Sequence, residues 1–126
     1  MNMTVNNNIY LFQLAGVYLL SGNPEHVVLG DNVPVTLTCV VDDDIKFVTW
    51  IKDGNRIANI KEDCQYSSIP DYTYNYTCDV ANKTYYLIIP PDAITDGIQN
   101  SVWQCLPIIG QRSNTWSLAV SGTYGV

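Results

Sequence analysis

Three short runs of alternating polarity constrain this chain more than anything else in it. Val35-Thr36-Leu37-Thr38-Cys39 puts Val35, Leu37 and Cys39 on one side and both threonines on the other, the period of a strand with one buried face. Trp50 follows Cys39 by eleven positions, in Phe47-Val48-Thr49-Trp50-Ile51-Lys52, and Cys105 follows it by sixty-six, in Ser101-Val102-Trp103-Gln104-Cys105. Asp53-Gly54, directly after the second run, is a strong hairpin signal. Pro90-Pro91 ends another apolar stretch, because proline cannot donate to a sheet ladder. A residue repeat of two, punctuated by turn residues, leaves little room for helix. With 47% hydrophobic and 14% charged residues over 126 positions, the chain reads as one globular domain, not a disordered one.

Cys39, Trp50 and Cys105, with the hairpin string Trp50-Ile51-Lys52-Asp53-Gly54-Asn55-Arg56-Ile57, resemble the immunoglobulin superfamily. The long interval between the two cysteines is similar to that of variable-type domains. The resemblance implies an all-β, two-sheet antiparallel Greek-key sandwich in which Trp50 packs on an inter-sheet disulfide. Four cysteines permit three pairings; the resemblance selects Cys39 with Cys105, which leaves Cys64 with Cys78. Two disulfides imply an oxidising compartment, so an extracellular location is expected.

The resemblance is closer to variable-like domains of invertebrate adhesion or defence receptors than to antigen receptors. Strand G, in Thr115-Trp116-Ser117-Leu118-Ala119-Val120, lacks the Phe-Gly-x-Gly bulge of paired antigen-receptor domains. Trp103 stands where the family carries a tyrosine two residues before the second cysteine. An indole N–H reaches differently from a phenol, which puts the family's tyrosine corner in question.

The expected strands lie at 17–20, 26–29, 33–41, 46–52, 57–60, 74–79, 83–89, 100–106 and 115–120, with turns at 21–24 and 30–32 and an irregular stretch at 61–73. Residues 17–126 form the immunoglobulin-like domain. Residues 1–16 are an extension surplus to it, with an apolar strand-like segment at 9–15. The apolar run 9–20 has some character of a signal-peptide core. No Lys or Arg precedes it, and Gln13 and Gly16 interrupt it, so strands are the better reading.

Composition excludes several functions. A formal charge of −6, with six Lys and Arg scattered along the chain, cannot neutralise a phosphate backbone, so no nucleic-acid partner is expected. No run of eighteen apolar residues supports a membrane-inserted helix. The single histidine, His26, has no evident nucleophile to activate, and no hydrolase motif is present, so an enzyme is not expected. Asp42-Asp43-Asp44 supplies hard oxygens, but successive carboxylates rarely converge on one cation. No metal or cofactor is expected.

A non-catalytic recognition or adhesion module remains, taking a protein or glycan ligand through its loops and its C-C′-F-G face. The candidate contacts are Ile108, Ile109, Gln111 and Arg112 in the F–G loop, with Arg56 on the C–C′ hairpin. Two adjacent isoleucines near a hairpin tip cannot both point into the core by alternation. Tyr66, Tyr72, Tyr74, Tyr76, Tyr85 and Tyr86 give the composition of a recognition surface, but strand propensity at Tyr74, Tyr76 and Tyr86 on strands D and E is the simpler account. Asn2, Asn75 and Asn82 begin N-x-[ST] sequons, candidate glycosylation sites in a secreted chain. The alternative function is a structural subunit, a homo-oligomer in which residues 9–15 donate a strand to a neighbour through Ile9, Leu11, Phe12 and Leu14.

Overall fold

The structure, a computed structural model, describes residues 17–42, 45–68, 73–107 and 112–122. These form strands β1 Val17–Asn23, β2 His26–Val28, β3 Val35–Val41, β4 Phe47–Lys52, β5 Asn55–Lys61, β6 Tyr66–Ser68, β7 Asn75–Asp79, β8 Thr84–Ile89, β9 Val102–Pro107, β10 Trp116–Ser117 and β11 Ala119–Ser121. Three single 3-10 turns interrupt them, at Val80–Asn82, Pro91–Ala93 and Asp96–Ile98. Two antiparallel sheets pack face to face, one in the order β1-β3-β8-β7 and the other β10-β9-β4-β5-β6, while β11 pairs in parallel with β2.

Alternation builds the core. In β3, Val35, Leu37, Cys39 and Val41 are buried and the residues between them half-buried. β8 opposes it with Leu87 and Ile89. The other sheet contributes Val48 and Trp50 from β4, Ala58 and Ile60 from β5, and Trp103 and Cys105 from β9. Cys39 and Cys105 are disulfide-bonded across the sheets, with Cα atoms 6.4 Å apart, and Trp50 lies in register with Cys105. Asp53 (φ 52°) and Gly54 (φ 82°) both take the positive φ that a two-residue hairpin turn of this type demands.

Several strand boundaries differ from the expected ones. The strand expected at 17–20 continues through Ser21, Gly22 and Asn23, which pair with Thr38, Leu37 and Thr36; the ladder outweighs the local turn composition, and the chain turns at Pro24. The stretch expected to be irregular holds β6, antiparallel to β5. Cys64 in the left-handed region (φ 65°) turns the chain there, with the Lys61 amide donating to the Gln65 carbonyl at 2.9 Å. The strand expected at 115–120 is split. Leu118, 1% exposed, turns into the core between β10, which pairs with β9, and β11, which pairs with β2.

Both open sides of the sandwich are closed by side chains. On one, the Cys64–Cys78 disulfide joins the turn before β6 to β7, and the Tyr66 and Tyr76 rings meet at 4.9 Å. On the other, the return from β9 is fixed by two residues. Ser113 donates its amide to the Cys105 carbonyl (2.8 Å) and accepts the Cys105 amide on its hydroxyl (2.9 Å). The Asn114 side chain accepts from the Leu20 amide (2.8 Å) and donates to the Leu20 carbonyl (3.0 Å). The Trp116 indole then lies against the backbone of Gly22, where any Cβ would overlap it.

Candidate functional site

Because Val48 and Trp50 face the core, Phe47, Thr49 and Ile51 of β4 point away from it. An outward face ordinarily meets water. Here Thr49 is 2% exposed and Ile51 is fully buried. Ile51 sits in register between Gln104 of β9 and Arg56 of β5, and Thr49 between Leu106 and Asn59. The Thr49 hydroxyl donates to the Asn59 side-chain oxygen at 2.8 Å. A groove of about 280 Å³ opens beside this patch, lined by Phe47, Asn59, Lys61, Gln65, Tyr66 and Ser67. It combines one outward-facing aromatic, Phe47, with the polar residues Asn59, Lys61, Gln65 and Ser67, while Tyr66, in register with the core-facing Ile60, turns its ring toward Tyr76 and bounds the groove at the sheet edge.

A smaller cavity, about 150 Å³, lies at one end of the sandwich among Asp42, Ile45, Lys46, Val80, Ala81, Lys83 and Tyr85. Tyr85 is 1% exposed and its hydroxyl has no hydrogen-bond partner. Burial pushes its pKa above the ordinary phenol value, and Glu62 adds to the effect.

Of the expected contact residues, Arg112 and Arg56 fall among the described residues. Both are exposed, Arg56 on β5 and Arg112 in the return that follows β9. Ile108, Ile109 and Gln111 lie outside the described residues, as do Asp43, Asp44, Tyr72, the sequon at Asn2, and the segment carrying Ile9, Leu11, Phe12 and Leu14. Asn75 and Asn82 are exposed, on edge strand β7 and on the turn that follows it. The tyrosines divide. Tyr76 and Tyr85 are core, Tyr74 meets the edge of Trp103 at 5.4 Å, and Tyr66 stays 45% exposed.

His26 is not without a partner. Its Nε2 lies 2.8 Å from the Ser121 hydroxyl, an exposed pair joining β2 to β11. No acid orients the other ring nitrogen among the described residues, and the pair reads as a staple between the two strands. Among the described residues no three His, Cys, Asp or Glu converge as a metal site, and no helix is long and apolar enough to cross a membrane. The two disulfides are compatible with an extracellular location.

Some placements had no sequence signal. Asp53 accepts the Val102 amide at 2.8 Å and donates its own amide to the Val102 carbonyl at 2.7 Å, latching the β4–β5 turn to the start of β9. That backbone bond, with the neighbouring Lys52, lowers the Asp53 pKa against a smaller opposing effect of burial. Trp103 has its own arrangement. Its indole N–H donates to the Ser101 hydroxyl (2.9 Å), which donates to the Ile98 carbonyl (2.6 Å).

No family model matches the chain, and no curated protein matches it at a significant level.

Proposed function

We propose that this chain is an extracellular, non-catalytic recognition module, an immunoglobulin-like domain of variable type that binds a partner through the outward face of β9, β4, β5 and β6. The strand orders support the fold half of this reading. β1-β3-β8-β7 corresponds to the A-B-E-D sheet of such domains and β10-β9-β4-β5-β6 to the G-F-C-C′-C″ sheet, with the cross-sheet disulfide beside a buried tryptophan. Fold alone does not specify function.

The observation that carries the functional half is the outward face itself. Ile51 and Thr49 are covered by their neighbours, so the outward face is packed and not simply solvated at its centre, and a groove lined by Phe47, Asn59, Lys61, Gln65, Tyr66 and Ser67 opens beside them. Asn75 and Asn82 belong to the opposite sheet and its turn, so glycans there would leave this face open.

Fluorescent tetramers of the full chain, tested on intact cells by flow cytometry, check the reading. Gln104→Arg or Asn59→Arg on this face should abolish staining, and Thr38→Arg on the opposite sheet should preserve it. Equal staining by all three variants would place recognition elsewhere.

A further inference from the structure

We propose that the groove between Phe47 and Tyr66 is a binding site for a single pyranose ring of a carbohydrate. This rests on the recognition reading and names its ligand class. The volume, about 280 Å³, falls just below the roughly 300–1,000 Å³ of pockets that enclose drug-sized molecules, so the groove takes one ring. Its lining suits a ligand with an apolar face and a hydroxyl-bearing rim. Phe47, half-buried on β4, presents a ring whose face is electron-rich and attracts the polarised C–H groups on one side of a pyranose. Around it stand two amides, a hydroxyl and an ammonium, those of Asn59, Gln65, Ser67 and Lys61. Together they offer donors and acceptors in several directions. A phosphate would want a clustered set of cations or amides, and an aliphatic ligand would leave these polar groups unpaired.

The groove is also ordered before any ligand arrives. The buried Thr49 hydroxyl holds the Asn59 carbonyl oxygen, which leaves the Asn59 N–H groups to donate to a ligand. Lys61 and Gln65 are joined through their backbones, in a turn tied to β7 by the Cys64–Cys78 bridge. Pre-ordering of this kind lowers the entropy lost on binding. Lys61 gives an acidic sugar the advantage over a neutral one. For a ligand of a dozen or so heavy atoms at ordinary efficiency, the dissociation constant should be on the order of 1 mM.

The test is NMR titration of the ¹⁵N-labelled full chain with methyl β-D-glucopyranoside, methyl α-D-mannopyranoside, N-acetyl-D-glucosamine and D-glucuronic acid. Each is taken to about tenfold above that constant. Saturable shifts should appear for Phe47, for residues 59–67 and for the Asn59 side-chain amide, strongest with glucuronic acid. Asn59→Ala, checked for a native spectrum, should weaken binding about tenfold, and Lys61→Gln should remove the preference for the acid. No saturable shift with any of these sugars, or shifts mapping to another surface, overturns the proposal. Glycosidase treatment of the target cells separates this failure from that of the parent reading. Staining that survives deglycosylation and still depends on Gln104 and Asn59 overturns the pyranose site while leaving a protein-binding face intact.

Discussion

At the scale of single residues, the Trp103-Ser101-Ile98 relay sets the end of the sandwich. Trp103 is fully buried, and its N–H has one partner, the Ser101 hydroxyl. Ser101→Ala should therefore leave a buried donor unsatisfied and cost about 1–3 kcal/mol in urea unfolding. In a Trp103→Phe background, where no indole N–H remains, the same substitution should cost less, and a double-mutant cycle measures the difference. Tyr85 presents the opposite case, a buried hydroxyl with nothing to bond. Tyr85→Phe should leave the neutral-pH melting temperature unchanged or raised. It should also change the alkaline limb. Burial raises the Tyr85 pKa in the folded state above its unfolded value of about 10. The stability that follows from this shift is fully present below pH 10 and is lost as pH climbs through the folded pKa. The variant should fall less than the wild type when melting is compared between about pH 9 and pH 11.

At the scale of elements, the alternating runs showed where β3, β4 and β9 lie and which of their residues face inward, because a period of two is set by strand geometry alone. Asp53-Gly54 located its hairpin for an equally local reason, positive φ at two successive residues. The boundaries that differed depend on partners distant in sequence. Gly22 reads as a turn residue until Trp116, 94 positions later, is laid against it. Gly22→Ala should push the indole off β1 at a cost of about 1–3 kcal/mol, as overpacking generally does. Trp116→Leu in the same background should recover most of that loss. The groove was illegible for the same reason. Phe47, Asn59 and Tyr66 carry no shared motif, and they come together through the β4-β5-β6 ladder and the left-handed turn at Cys64. The expected contacts, in the F–G loop and at Arg56 on the C–C′ hairpin, do not include the groove's residues, which lie on the face of a sheet.

At the scale of the whole molecule, each of the two disulfides does a different job. Cys39–Cys105 joins the sheets through the core, across 66 positions of chain, whereas Cys64–Cys78 closes 14 positions at one open side. Loss of the second bridge in a Cys64→Ser, Cys78→Ser variant should cost up to about 3 kcal/mol by the chain-entropy relation. It should also expose residues 62–74 to limited proteolysis while the Cys39–Cys105 core holds. The other open side depends on no covalent bond. Ser113 engages β9 through its backbone amide and its hydroxyl, and Asn114 engages β1 through its side-chain amide. Register after the β9 return is therefore reset at those two residues, whatever path the chain takes to reach them. The frame on either side, at Cys105 and at Leu20, is held by bonds from these two residues themselves. Because β10 and β11 take their places from Ser113 and Asn114, a lineage that keeps those two residues could change the length of the connection before them and inherit the rest of the sandwich unchanged.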